Sequence, residues 1–324
     1  MSTVVVTEDV TGPAYDQLGR EWTLQRDVNA WDNPGSWPAL LQNAEAVIVR
    51  NRTQVNEQFF AAAPNLKVVA RAGVGLDNID LEAANRAGVV IVAPLGANAV
   101  SVAEHTLTLA LALAKNLVTS DTETKGGSWN RVPTQELGGK TWGLLSAGAT
   151  ARATARVAKA FGMTVLAYDP YVDPNHPELQ DLGIQLASLE EVLAASNVLS
   201  VHLPHTDATH HLLNSTRLSS LPPGALVISV GRGEVIDEQA LLGLLESGHL
   251  GGAGLDVREQ EPPRPGALES HSRVLLTPHV AGISVQAQAR IADVLCQQVR
   301  LVLRGDTATS AVGEHVKAKR PVRQ

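Results

Sequence analysis

Residues 141–156, Thr141-Trp-Gly-Leu-Leu-Ser-Ala-Gly-Ala-Thr-Ala-Arg-Ala-Thr-Ala-Arg156, decide the fold. The stretch reads as a buried strand to Leu145, a tight turn and a helix, and a second strand then runs to Tyr168 and Asp169. A strand, a small-residue turn and a helix in that order form the phosphate-binding half of a dinucleotide site. Its turn reads Gly-x-Gly-x-x-Gly/Ala because each small residue has a separate task. Here the turn reads Ser146-Ala147-Gly148-Ala149-Thr150-Ala151. Gly148 holds the position where backbone must approach a pyrophosphate, and Ala151 is a tolerated third residue for helix–strand packing. Only the first position is altered. A positive φ at Ser146 would cost about 1 kcal/mol or somewhat more, equivalent to about tenfold in affinity. Asp169 lies 23 residues past Ser146, near the offset of the carboxylate that accepts from the adenine-side ribose and repels a 2'-phosphate. That favours NAD over NADP. A turn with one glycine also fits an ordinary strand-to-helix connection, and Arg152 and Arg156 fit plain surface charges at i, i+4.

Outward from this unit, β-branched runs alternate with helical patterns, the signature of parallel sheets with helices on both faces. Val4–Val6, Ala46–Val49, Lys67–Ala70 and Val89–Val92 predict a first α/β series. A second series of six predicts a doubly wound nucleotide-binding domain: 142–145, 164–168, 198–202, 225–230, 254–257 and 274–277. Helical spacing over Ser101–Asn116 predicts a helix bridging the two series, and a second helix over Val285–Leu303 is expected to return the chain to the first domain.

With 324 residues, 44% hydrophobic and 18% charged, the chain has length for two domains of roughly 100–200 residues each and is neither disordered nor fibrous. The net charge of -7 and the lack of a basic face beyond Lys317, Lys319, Arg320 and Arg323 argue against a nucleic-acid partner. Those tail charges read as a solvated end. The one cysteine, Cys296, excludes an intramolecular disulfide or a multi-cysteine metal site and suits a reducing, cytoplasmic setting. The opening residues carry neither a basic leader nor a cleavage site, so no export is expected. The apolar run Leu107–Leu113 is far short of the roughly 20 residues that span a bilayer.

Several further motifs carry a resemblance: Arg71-Ala-Gly-Val-Gly-Leu-Asp-Asn-Ile-Asp80, Ser101-Val-Ala-Glu-His-Thr106, Gly231-Arg-Gly-Glu-Val-Ile-Asp-Glu-Gln-Ala-Leu241, Gly254-Leu-Asp-Val257 with Glu261-Pro262, and Thr277-Pro-His-Val-Ala-Gly282. Together they resemble, along the whole chain, the D-isomer-specific 2-hydroxyacid dehydrogenases, and within them the short phosphoglycerate dehydrogenase and hydroxypyruvate/glyoxylate reductase types. The resemblance implies a Rossmann nucleotide domain, 99–285, inserted in a smaller flavodoxin-like α/β substrate domain, 1–98 plus 286–324. It also implies an NAD-dependent oxidoreductase moving hydride between nicotinamide and a small D-2-hydroxy acid or 2-oxo acid.

Reducing a 2-oxo acid needs a proton donor at the carbonyl oxygen, a task suited to a histidine titrating near 7. The resemblance assigns that role to His279, with Glu261 orienting the ring and raising its pKa, and Arg232 clamping the substrate carboxylate through its planar guanidinium. An isolated arginine or a Thr-Pro-His turn is ordinarily structural; the three in this order, at strand C-terminal ends, form a constellation. Cofactor contacts are expected from Ser146, Gly148, Ala149, Thr150, Asp169, His202, Pro204 and Asp256, the last open to a structural role. Substrate contacts are expected from Gly73-Val74-Gly75, whose amides would bind a carboxylate, and from Asn98. Arg50, Arg71 and Arg131 match arginines that hold the phosphate of 3-phosphohydroxypyruvate, although Arg50 and Arg52 also fit strand-end charges. No metal is expected from His205, His210 and His211, which lack ligand spacing.

The family turn Gly-Leu-Gly-Arg-Ile-Gly is replaced here by Ser146–Ala151, and the usual Asn before the catalytic loop by Ser229. The expectation is a dehydrogenase with weakened or altered cofactor binding. The alternative is a non-redox homologue with an altered nucleotide turn, acting as a ligand-binding interaction protein or as an enzyme that transfers a proton without hydride. The resemblance further implies a homodimer through the nucleotide domain, with the loop around Trp129 contributing, hinges near 97–101 and 283–287, and no regulatory domain in a chain of this length.

Overall fold

A computed structural model describes residues 3–319, so Arg320 and Arg323 lie outside the described residues. The chain divides into two compact units, one running to Asn98 and resuming at Val285, the other Ala99–Ser284.

The first unit is a parallel five-stranded sheet of β1 (Thr3–Val6), β2 (Thr23–Arg26), β3 (Ala44–Val49), β4 (Val68–Arg71) and β5 (Val90–Val92), in the order β2-β1-β3-β4-β5. That is the flavodoxin-like order. The inner strands are mainly apolar because helices cover both faces, and β3 is buried from end to end, Glu45 included. One face packs on helices Pro13–Glu21 and Val285–Arg304 through Leu18, Ile291, Leu295 and Val299, and the other on Trp37, Phe59 and Phe60. β2 escapes a reading by pattern because it is an edge strand with mostly exposed side chains.

The turn of direction in this sheet lies between β1 and β3, and one residue closes it. Glu8, just past β1, is buried, and its Oε1 accepts from the Arg50 and Thr53 amides at 2.8 and 3.0 Å. Its Oε2 accepts from the Asn51 and Arg52 amides at 3.2 and 3.0 Å. Burial works to raise the Glu8 pKa, but the backbone N–H bonds prevail and hold it below the ordinary glutamate value.

The second unit is a parallel seven-stranded sheet of β6 (Thr141–Leu145), β7 (Thr164–Tyr168), β8 (Gln185–Leu186), β9 (Val198–Val201), β10 (Leu226–Ser229), β11 (Gly252–Leu255) and β12 (Val274–Leu276). The order β12-β11-β10-β9-β6-β7-β8 starts at β6, runs outward through β7 and β8, and then crosses to β9 on the other side. The sheet is therefore doubly wound. It has one strand more than the sequence predicts, because β8 is two residues at an edge.

Helix Ala149–Ala160 packs an alanine face, Ala151, Ala155 and Ala158, against the sheet with nothing exposed. Arg152 and Arg156 leave its opposite side, and both reach Glu178, at 2.6 and 3.5 Å. Helix Ala99–Ala114 buries Val102, Thr106, Leu109 and Ala110, with Leu109 resting on Gly254 of β11.

Candidate active site

In an open parallel sheet, ligands bind beyond the strand C-termini where the winding reverses. In the second unit that point lies between β6 and β9, at Ser146 and His202. Ser146 has φ 102°, a strained conformation that glycine adopts freely. Its hydroxyl accepts from the Gly148 amide at 3.0 Å, and Asp169 Oδ2 accepts from the Ala147 amide at 2.8 Å. Gly148 is the N-cap of helix Ala149–Ala160, so the Ala149 and Thr150 amides have no intrahelical partner. A Cβ on Gly148 would stand 3.3 Å from the Ser146 hydroxyl, so the cradle admits little beyond backbone.

His202 lies on the other side of the reversal. The Trp142 indole N–H donates to Ser200 Oγ at 2.8 Å, and Ser200 Oγ lies 3.0 Å from His202 Nε2. His202 Nδ1, the other ring nitrogen, is buried without a hydrogen-bond partner. Burial pushes the His202 pKa down to about 3, keeping the ring neutral. A diphosphate-bearing dinucleotide fits these groups: open first-turn amides, a small-residue cradle, a carboxylate at the end of β7 and a buried ring nitrogen without a partner. Pro204 continues into an exposed loop. There the rings of His210 and His211 stack at 4.2 Å, and His211 Nε2 lies 3.0 Å from Glu259.

A second cluster follows β10 and β11. Arg232 stands between two glycines that nothing larger can replace. A Cβ on Gly231 would overlap the Leu203 carbonyl oxygen, and one on Gly233 would overlap the Arg258 carbonyl carbon. Arg258 itself is buried, donating to Glu238 at 2.7 and 2.8 Å and pairing with Glu269 at 2.6 Å. This anchor fixes the loop that carries Glu261, whose Oε1 accepts from the Arg258 amide at 3.1 Å.

Glu261 Oε2 accepts from His279 Nδ1 at 2.8 Å, which leaves Nε2 as the ring atom for another partner. The hydrogen bond to Glu261 raises the His279 pKa against the opposing effect of burial, and the Arg232 charge works in the same direction as burial. For Glu261, burial works upward, but the hydrogen bond and charge of His279, the Arg258 amide and Arg232 together bring its pKa below the ordinary value. Arg232 thus acts electrostatically on both members of the pair. His279 holds φ 54°, a left-handed conformation uncommon for a side chain of this size.

The Asp256 carboxylate, 1% exposed, accepts from the Thr277 hydroxyl at 2.6 Å and from the Val280 and Ala281 amides at 2.9 and 2.8 Å. Nothing in the sequence marked Thr277 or His105 as its partners, although the Ser101–His105 segment held the signal. Ser101 and His105 lie at i, i+4 on one helix, and both reach the 277–281 segment.

The residues expected to touch substrate lie in the first unit, apart from Arg131, which follows helix Leu117–Lys125 in an exposed stretch of the second. Arg50 presents its amide to Glu8, and Arg71 folds its guanidinium over Gly73, where φ is 155° and a Cβ would overlap Nη1. Val74 and Gly75 follow as half-buried positions, and Asn98 Oδ1 is buried without a hydrogen-bond partner.

Residues 107–281 match the family model described as D-isomer specific 2-hydroxyacid dehydrogenase, NAD binding domain. The D-3-phosphoglycerate dehydrogenase of Mycobacterium tuberculosis is 39% identical over 276 residues, covering 85% of this chain and 52% of that protein. The chain therefore spans about half the length of the curated relatives it matches first. Among solved structures, the TT0316 protein of Thermus thermophilus is 32% identical with a TM-score of 0.86, covering 96% of this chain and 99% of that one. A glyoxylate reductase from Paecilomyes thermophila is 27% identical with a TM-score of 0.87, covering 97% and 98%. The matched domain model takes in more than half of the residues, including Arg232, Glu261 and His279, and the chain belongs to the D-isomer specific 2-hydroxyacid dehydrogenase family.

Proposed function

We propose that the protein interconverts a small 2-oxo acid and its D-2-hydroxy acid with NAD. The observation that carries this reading is the 2.8 Å His279–Glu261 pair, under the charge of Arg232, on a unit whose β6 turn fits a dinucleotide. Bound NADH would supply the hydride. His279 Nε2 delivers the proton to the carbonyl oxygen, Glu261 fixes the ring through Nδ1, and the Arg232 fork takes the substrate carboxylate. Gly148, Ala149 and Thr150 would hold the diphosphate, Asp169 the adenine-side ribose, and His202, Pro204 and Asp256 complete the cofactor's surroundings. Arg50, Arg71 and Arg131, with Val74, Gly75 and Asn98, are the proposed substrate contacts, and three arginines suit a phosphorylated acid such as 3-phosphohydroxypyruvate. Residues 1–98 and 286–324 form the proposed substrate domain.

Absorbance of reduced nicotinamide, followed with hydroxypyruvate, 3-phosphohydroxypyruvate and glyoxylate, tests the reading. Oxidation with at least one acid is expected. Silence with all three, together with tight NADH binding, would turn the assignment to a non-redox ligand-binding role. In the same titration the Ser146→Gly variant binds NADH about tenfold more tightly. The gain comes from freeing the Gly148 amide that the serine hydroxyl now occupies, whereas the strain of the positive φ is already present without cofactor, so its relief adds to stability and not to affinity. Equal affinities would show that Ser146 does not limit binding.

A cytoplasmic homodimer belongs to the same proposal. Helix Leu117–Lys125 buries no side chain within its unit, and Leu117, Trp129 and Val132 are 60%, 81% and 63% exposed beside it. Sedimentation equilibrium should give twice the 34.2 kDa chain mass; a monomer at micromolar protein would remove this part of the reading. The Cys296 thiol is buried and pushed up to about 12, so it is inert as a nucleophile or disulfide partner.

A further inference from the structure

The Ser101–His105 segment has no part in the chemistry above, yet it grips the segment bearing the proposed proton donor at two points. Ser101 Oγ donates to the Ala281 carbonyl at 2.7 Å, and His105 Nε2 lies 2.9 Å from Thr277 Oγ1. The direction of the second bond follows from the third member. Thr277 is 2.6 Å from Asp256 Oδ1, an atom that only accepts, so the threonine's single hydrogen points to the carboxylate. Thr277 Oγ1 must then accept from His105, which fixes a hydrogen on Nε2.

Asp256 passes this restraint to the backbone of the donor segment. Its carbonyl oxygen accepts from the His279 amide at 2.8 Å, Oδ1 from the Val280 amide and Oδ2 from the Ala281 amide. Three successive amides are thus tied to one buried residue, across the position where His279 holds φ 54°. A strained conformation of this kind persists only where its surroundings over-determine it. The Asp256 oxygens are largely committed to that work, with His105 also standing 3.5 Å from Oδ1.

We propose that His105 is a positioning residue for His279: its Nε2–H, relayed through the Thr277 hydroxyl and the Asp256 carboxylate, holds residues 277–281 in the form that aims the imidazole at Glu261. The inference rests on the reading of His279 as the proton donor, but its effect on the His279 ring does not depend on turnover. Loss of the donor lets the segment relax toward ordinary φ values and lengthens the Nδ1 to Oε2 contact. A displacement of about 1 Å at a catalytic group can cost on the order of a hundredfold in rate.

The test compares His105→Phe, which keeps a ring and loses the donor, with His105→Gln, which keeps an N–H at similar reach. Thr277→Val and Thr277→Ser repeat the comparison at the relay and decide the matter if His105→Phe fails to fold. The first readout is the titration of the His279 ring followed by histidine NMR. In His105→Phe and Thr277→Val the raised pKa should fall toward 6.5 by about half a pH unit or more, while His105→Gln and Thr277→Ser stay near wild type. The second readout is kinetic. In the two disrupted variants kcat should fall about thirtyfold with NADH affinity within twofold of wild type, and the conservative pair should recover most of it. An unchanged His279 titration in both disrupted variants overturns the proposal, as does an equal fall in the conservative ones. If wild type oxidises NADH with none of the three acids, the dehydrogenase reading fails while the ring titration still decides the role of His105.

Discussion

The His279→Gln variant is expected to reduce 2-oxo acids with kcat lowered by about 10²–10⁴, the usual contribution of a positioned general acid. NADH affinity should stay within about twofold, because the β6 turn that would hold the diphosphate is untouched. The same residue is expected to set the pH profile. Its pKa is raised, foremost by the hydrogen bond to Glu261, so the imidazolium form persists above the ordinary value of 6.5. Reduction consumes that proton: kcat is flat at lower pH and falls as pH rises through the raised pKa. Oxidation of the hydroxy acid needs neutral imidazole and shows the opposite limb. In Glu261→Gln the partner charge is gone, so the reductive limb moves to lower pH and kcat at neutral pH drops. Profiles measured in both directions check this. Parallel limbs, or a limb unmoved in Glu261→Gln, would remove His279 from the acid role.

Gly233→Ala should be the most damaging single methyl in the chain. The new Cβ overlaps the Arg258 carbonyl carbon, and Arg258 cannot retreat because Glu238 and Glu269 hold its guanidinium inside the protein. Relief requires moving backbone, and with it Glu261 three residues on. The expected loss is about 3 kcal/mol, at the upper end of overpacking effects, which lowers Tm by roughly 6–12 °C for a unit of this size. Activity should fall further than stability, since Arg232 and Glu261 are displaced together. Gly243→Ala is the control: it sits in helix Glu238–Glu246, a Cβ there meets nothing, and the change should stabilise by about 0.5–1 kcal/mol. Calorimetry on the pair separates the two outcomes, and similar Tm values for both would sink the packing argument.

The parallel strands are legible in the sequence because buried strands in such sheets carry runs of β-branched and aliphatic residues, as in Val4–Val6 and Ala46–Val49. β2 and β8 are not legible, since edge strands with exposed side chains carry no such run. The helix expected over Ser101–Asn116 begins two residues earlier and ends two residues earlier, a displacement within the usual fraying of helix limits. The strained turn at Ser146 is readable from the missing glycine, but the return of its hydroxyl to the Gly148 amide is a product of that strained geometry and has no periodic signature. Contacts between distant parts of the chain are least visible. His105 and Thr277 are 172 positions apart, and only the folded sheet brings helix and turn together. The bond from Glu8 to the 50–53 amides is of the same kind.

That Glu8 bridge has a consequence for selectivity. Four converging main-chain N–H groups would otherwise make a general receptor for oxyanions, open to chloride, sulfate or bicarbonate alike. By filling it with a tethered carboxylate, the protein withdraws the main chain from competition at that crevice. If the first unit is the substrate domain proposed above, discrimination among charged acids there falls to side chains such as Arg50 and Arg71, which evolution can change one at a time.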